Sequence, residues 1–382
     1  MSGIYVHVPF CRRACSYCDF YFSTTQTLLP DFIAALKREI LASPPEWRTE
    51  PVRTVYFGGG TPSMLPDGTL RELLETIATV FSVESGAEIT LEANPEDISV
   101  LRCRNWLNAG ITRLSLGIQT FDADTLKWMN RPHSPEQARQ CIKTVAQAGF
   151  ASFSCDLIYA LPSQQDNALL TDLSNLLVFQ PPHISAYTLT VEEGTRLHAW
   201  VQKGHLLPAD DDAAARHMQL VSETLQKQGY ERYEVSNFCL PGFHSRHNSA
   251  YWTHENYFGF GPGAHSFFKT GAQHAIRWNN PAHLNRYVKC AAFERFRVSE
   301  QVGAAGLAEE RIYLGLRTKR GLDFRELEPY EPGISATGFF DTVKRLTAAG
   351  LLSQNGTHLA VTEKGYPVSD RIALEIITEL GL

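Results

Sequence analysis

Six short apolar runs alternate with stretches of helical spacing between Ile4 and Tyr187, and no other feature restricts the fold as much. The runs are Ile4 to Val8, Val52 to Phe57, Ala87 to Leu91, Arg113 to Leu116, Phe153 to Tyr159 and Ile184 to Tyr187. Between them Phe32, Ile33, Leu36 and Ile40 recur at helical spacing, as do Leu70, Leu73, Leu74, Ile77 and Phe81. A third helix, Leu101 to Leu107, is stopped by Gly110. The next is signed at both ends, with Ser134 as N-cap, Pro135 in the first turn, Gln137 closing a capping box and Gly149 at the exit. Another helix fills the gap before the sixth strand. Strand and helix in alternation predict an α/β chain with a parallel sheet covered by helices. Such sheets carry their sites at the carboxyl ends of the strands. The pattern alone leaves open whether the sheet curls into a barrel.

At the end of the first run, Pro9 leads into Phe10-Cys11-Arg12-Arg13-Ala14-Cys15-Ser16-Tyr17-Cys18-Asp19-Phe20. One short loop can thus bring three thiolates to a single centre. Thiolates select iron-sulfur clusters, zinc or copper(I), and a closed site usually takes four protein ligands. Three cysteines on a [4Fe-4S] cube leave one iron open to another ligand. A structural zinc site borrowing His7, or plain buried thiols, are the competing readings.

Further polar signals sit at the other strand ends. Gly58-Gly59-Gly60-Thr61-Pro62 lets backbone approach a ligand closely, or makes a tight turn, and it matches neither G-x-G-x-x-G nor a P-loop. Glu92, Gln119, Arg131 and Asp156 each fall at or just beyond a run, where carboxylates accept from hydroxyls and a cation meets a carboxylate.

C-x3-C-x2-C after a strand, with the glycine turn after the second strand, resembles the radical S-adenosylmethionine (radical SAM) superfamily. The order of the polar residues is similar to that of its oxygen-independent coproporphyrinogen oxidase subfamily, over roughly residues 4 to 260. The resemblance implies a partial (βα)6 barrel with Cys11, Cys15 and Cys18 on a [4Fe-4S] cluster. It also implies Tyr5, Gly59, Gly60, Thr61, Glu92, Gln119, Arg131 and Asp156 around S-adenosylmethionine, whose amino group the glycine turn holds. In that superfamily the reduced cluster splits the sulfonium by one electron, so that cofactors do the hard chemistry. No residue of this chain is assigned a catalytic role of its own.

Beyond the sixth strand a helix from Ala213 to Gln228 and a strand within Tyr230 to Ser236 are expected. His244, His247, His254, His265, His274 and His283 then crowd among Tyr251, Trp252, Tyr257, Phe258, Phe260, Phe267 and Phe268. Histidines among flat apolar side chains suit haem, and equally suit a polar surface packed by aromatics. His247-Asn248-Ser249-Ala250-Tyr251-Trp252 resembles the H-N-x-x-Y-W motif of the HemW-type haem chaperones, relatives of the oxidase. That resemblance makes His247 the first candidate axial ligand and respiratory haem proteins the expected recipients. Phe20 stands where the oxidase pattern places a fourth cysteine, and the oxidases' N-terminal extension is missing, so coproporphyrinogen turnover is not expected.

The last eighty residues read as a small α+β domain: helices at Leu307 to Leu316 and around Phe339 to Leu346, then a hairpin turning at Asn355-Gly356. This is a winged-helix-like pattern. Its nine Lys and Arg against eleven Asp and Glu speak against a DNA reader, as does the chain's net charge of -6. The expected division is therefore 1-236 for the barrel, 237-302 for the His/aromatic extension and 303-382 for the C-terminal domain.

Eight cysteines, five of them scattered, suit a reducing compartment, and no apolar run reaches the length of a membrane span. With the cysteine loop so near the start, no targeting peptide is expected and the cytoplasm is the default location. Three functions are in play: a haem-binding chaperone with a radical SAM core, a radical SAM oxidase acting on coproporphyrinogen, and a structural metal module. Association of two chains is left open.

Overall fold

In the computed structural model, which describes residues 2–330 and 337–382, all six expected strands form and pair in chain order. They are β1 (Ser2–Val8), β2 (Val52–Gly59), β3 (Val83–Ala93), β4 (Arg113–Gln119), β5 (Ser152–Tyr159) and β6 (His183–Thr188). Every neighbouring pair from β1 to β6 is parallel. Helices α1 (Leu29–Leu41), α2 (Thr69–Val80), α3 (Val100–Ala109), α4 (Ala123–Trp128), α5 (Pro135–Ala148) and α6 (Asp166–Leu177) make the crossovers. The Ser134 capping box and the left-handed Gly149 bound α5 as the sequence predicts.

Side chains along these strands sort by alternation. Ile4, Val6, Val8, Val55, Phe57, Leu91, Leu114, Leu116, Ile118, Cys155, Leu157, Ile184 and Ala186 belong to one buried apolar core with the faces of the helices. The alternate residues are polar and bond to one another: Tyr56 to Glu92, Ser115 and Ser154 to Asp156, Ser154 to Ser185. The inner face of this open, partial (βα)6 barrel is therefore polar.

After β6 come α7 (Arg196–Gln202) and α8 (Asp211–Lys227), then β7 (Glu231–Arg232), β8 (Asn237–Cys239) and α9 (Arg246–Trp252). The His/aromatic stretch extends the sheet. Strands β9 (Asn256–Phe260), β10 (His265–Lys269), β11 (Ala275–Asn279) and β12 (Val298–Val302) follow, with the short helices α10 (Leu284–Val288) and α11 (Phe293–Phe296) before the last of them. Together with β8 and β7 on the far side they give one sheet of twelve strands among the described residues. Because β9 pairs parallel to β1, the first strand lies inside the sheet. The aromatics are its packing: Trp47 stacks between Phe258 and Trp278, at 5.0 and 4.7 Å between ring centroids.

The C-terminal module has its own core, in which Ile312, Leu322, Phe339, Leu359 and Ile376 are buried. It comprises α12 (Ala304–Gly315), β13 (Leu322–Asp323), α13 (Thr337–Ala348), β14 (Leu352–Asn355), β15 (His358–Val361) and α14 (Ser369–Leu380), with the three strands in one antiparallel sheet. Helices and a hairpin thus form as the sequence predicts. Glu363 ties this module to the barrel, accepting from Ser222 at 2.7 Å and Gln226 at 2.8 Å and pairing with Arg232 at 3.3 Å.

Trp47→Ala removes the centre of the stack that joins the segment after α1 to β9 and β11. We expect a loss of about 3–5 kcal/mol, read as a lower midpoint in urea unfolding followed by tryptophan fluorescence.

Candidate active site

The carboxyl ends of β1 to β6 open into a cavity of about 440 Å³ lined by Cys11, Cys15, Cys18, Gly59, Gly60, Thr61, Glu92, Gln119, Arg131 and Asp156. Ten of the eleven residues expected from the sequence around a cluster and its ligand thus meet at one place. Tyr5 lies outside the lining, stacked on Tyr56 at 6.1 Å.

The cysteine loop is held from three sides. Ser23 donates its N–H to Pro9, Cys11 returns one to Ser23 at 3.0 Å, and Asn130 donates to the Ala14 carbonyl at 2.7 Å. Glycine allows the loop to leave β1 close beside β2. A Cβ on Gly60 would stand 2.7 Å from the Phe10 carbonyl oxygen, and one on Gly59, whose φ is +105°, would strike the His7 ring at 2.5 Å. The tight-turn and ligand readings of Gly58-Gly59-Gly60 are therefore compatible, since close backbone approach serves both.

An arc of hydrogen bonds joins two of the cysteines. Thr61 donates to Cys11 Sγ at 3.6 Å, Asn94 to Thr61 at 3.3 Å, Arg131 to Asn94 at 2.6 Å and Arg131 to Cys15 Sγ at 3.6 Å. Arg131 also donates to the Gly117 carbonyl at 2.8 Å, which a side chain at 117 would obstruct. Gln119 takes a left-handed φ of 67° where the register of β4 on β5 breaks, and such strain in a non-glycine residue is typical of ligand sites.

Burial pushes the Cys11 thiol up to about 11, against the Thr61 hydrogen bond, and the Cys18 thiol up to about 12. Both are protonated at neutral pH until a metal displaces the proton. All three cysteines are free. Among the described residues no three His, Cys, Asp or Glu side chains converge as one metal ion would require. His7, the ligand a zinc site would borrow, bonds through Nε2 to the Tyr21 carbonyl at 2.8 Å.

The opposite wall is built for a polar ligand. Glu92 accepts from the Tyr56 hydroxyl at 2.9 Å and the Gly59 N–H at 3.1 Å, while Asp156 accepts from Ser115 and Ser154 at 3.1 Å each. Arg113 lines the same cavity, and its Nε and that of Arg131 are buried without a hydrogen-bond partner. A guanidinium in a cavity wall suits an acceptor such as a carboxylate. Sequence reasoning missed Tyr56, Asn94, Arg113, Ser115 and Ser185. For all but Asn94, which lies just past the third run, the signal was the two-residue alternation within runs that read as simply apolar.

His247 is not brought to the cavity. Only 2% exposed, it bonds through Nδ1 to the Thr54 hydroxyl at 2.7 Å and through Nε2 to the Tyr251 hydroxyl at 2.8 Å. Its ring stacks on Tyr56 at 5.0 Å, so the motif histidine sits directly behind the residue that orients Glu92.

The radical SAM superfamily model matches residues 5–174 and the HemN C-terminal domain model matches residues 305–368. Among curated proteins, "Heme chaperone HemW" of Mycobacterium tuberculosis is 35% identical, over 98% of this chain and 94% of that one. The Bacillus subtilis protein of the same name is 32% identical over 100% of both. "Radical S-adenosyl methionine domain-containing protein 1, mitochondrial" of Bos taurus is 34% identical, over 99% and 88%. Of solved structures, coproporphyrinogen III oxidase (HemN) of Escherichia coli superposes with a TM-score of 0.82 at 21% identity, over 99% of this chain and 90% of that one, and shares the fold.

Burial raises the Glu92 carboxyl from 4.5 to about 7, with Asp156 adding to the rise and the Tyr56 and Gly59 bonds opposing it. At this site the folded chain therefore keeps a proton that the unfolded chain releases near 4.5, and the contribution of Glu92 to stability falls as pH rises from about 4.5 to about 7. Glu92→Gln should remove this contribution, so that its stability relative to wild type is higher at about pH 7.5 than at about pH 5, measured as urea midpoints.

Proposed function

The chain belongs to the radical SAM family, and because curated relatives that it matches over nearly their whole length are named heme chaperone HemW, we propose that it is a haem chaperone. In this reading it binds a [4Fe-4S] cluster and S-adenosylmethionine in the barrel cavity and hands haem to respiratory haem proteins. The observation that carries the first half is the meeting of Cys11, Cys15 and Cys18 with the glycine turn and the polar strand ends in one cavity. The three cysteines would hold the cluster, which when bound supplies an electron at the open end of the barrel. Gly59, Gly60 and Thr61 would line the amino-acid end of S-adenosylmethionine. Arg131 would meet its carboxylate, Glu92 and Asp156 its hydroxyls, and Gln119 its remaining polar edge, with Tyr5 supporting Tyr56 from behind.

The proposed units remain 1-236, 237-302 and 303-382, the second now reading as the edge of the first unit's sheet. No helix among the described residues is long and apolar enough to cross a membrane. A cytoplasmic location and association of two chains belong to the same proposal.

Phe20 favours the chaperone over an oxidase. It lines the mouth of the cavity and is 60% exposed, an apolar group where the oxidase pattern has a thiol. His247 is the proposed haem ligand by its motif, and to serve it must exchange the Tyr251 hydroxyl for iron.

Anaerobic reconstitution with iron and sulfide should give about four irons per chain and an electron paramagnetic resonance signal that S-adenosylmethionine alters. Cys15→Ser should lose both. Uptake of zinc with no response to S-adenosylmethionine would point to the structural module. The reduced, reconstituted protein should leave coproporphyrinogen unchanged, and its consumption would restore the oxidase reading. In a haem titration, equal affinity of wild type and His247→Ala would remove His247 from the haem site.

A further inference from the structure

Among the described residues three arginines are at least nine-tenths buried: Arg113, Arg232 and Arg311. Arg232 pairs with Glu363 at 3.3 Å, and Arg311 donates to Glu326 at 2.7 Å. Arg113 differs. Its Nε is sealed, and no described residue accepts a hydrogen bond from its guanidinium or pairs with it. A buried charge without a partner is costly, and an anion bound beside it relieves that cost.

The side chain is placed to meet a ligand. Arg113 begins β4 and lines the barrel cavity at the amino end of the strand, with Ser115, Gly117 and Gln119 following along the same wall. Arg131 donates to the Gly117 carbonyl at 2.8 Å. Four residues of strand, about 13 Å, separate the backbone of Arg113 from that level. A carboxylate held at Arg131 therefore leaves Arg113 to a second one. Asp156 lines the same space, but it accepts from Ser115 and Ser154 at 3.1 Å each, and burial, its largest influence, disfavours its charge.

The segment His247 to Trp252 supplies the other half. Burial first and the Arg113 charge second push the His247 imidazole down to about 3, so the guanidinium lies toward α9. His247 and Tyr251 bond to each other behind Tyr56. Asn248, by contrast, lines the cavity. Its backbone N–H is taken by the Ser245 hydroxyl at 3.3 Å, whereas its side-chain amide has no hydrogen bond to a described residue. A guanidinium and a free amide on one cavity wall are both donors to a carboxylate.

We propose that the inner end of the barrel cavity, deeper than Arg131, is a subsite for the carboxylate of a second small ligand, held by the Arg113 guanidinium and the Asn248 amide. The subsite goes beyond the chaperone reading and requires neither haem nor a cluster.

Saturation-transfer NMR titration of butyrate into the full chain tests it, with butyramide as the uncharged control. Wild type should bind butyrate and not butyramide. Arg113→Gln should bind butyrate at least about tenfold more weakly, and Asn248→Ala about threefold more weakly. Arg113→Lys keeps the charge and should retain binding, which separates a lost contact from a lost fold. In the reconstituted chain S-adenosylmethionine should leave butyrate in place. No binding by wild type, equal binding of butyramide, or wild-type affinity in Arg113→Gln would overturn the subsite. So would a lysine variant as weak as the glutamine one, or displacement of butyrate by S-adenosylmethionine, which would give Arg113 to that ligand. Each of these results leaves the haem titration and the iron count of the chaperone reading untouched.

Discussion

Each of the six parallel strands must satisfy two environments at once, helices on its outer face and a polar cavity on its inner face. Alternation meets that demand. In β4, Leu114, Leu116 and Ile118 are buried under helices while Ser115, Gly117 and Gln119 line the cavity. A one-residue slip would exchange the two sets and place charges beneath helices. The apolar set supplies the burial that stabilises the fold. The polar set is thereby held with little freedom to move, as a site of many hydrogen bonds requires.

That rigidity has an electrostatic consequence. Glu92, Asp156, Arg113 and Arg131 share a cavity in which burial disfavours charge on both carboxyls. The thiols of Cys11 and Cys18 are disfavoured as thiolates for the same reason. Carboxylates and thiolates held in such an interior would be favoured by positive charge beside them, which an iron-sulfur core and a sulfonium ligand would supply.

Much of this was legible beforehand. The cysteine loop could be read because its residues are adjacent, and the strand ends because glycine, proline and charge interrupt an apolar run. Strands β9 to β12 could not. Asn256-Tyr257-Phe258-Gly259-Phe260 becomes a strand by lying against β1, and its rings are packing for Trp47, information carried some two hundred residues away. The environment of His247 was hidden similarly, because Thr54 and Tyr56, which receive its ring, look from the sequence like ordinary strand residues. Long-range pairing overrides local pattern in both cases.

The parallel pairing of β9 with β1 also orders events in time. Synthesis proceeds from the N-terminus, so the strand that launches the cysteine loop is among the first made, yet its second neighbour spans residues 256–260. Until then one edge of β1 is an open ladder of backbone donors and acceptors. A growing chain can thus complete all six βα units with the cysteine loop still hung on an edge strand.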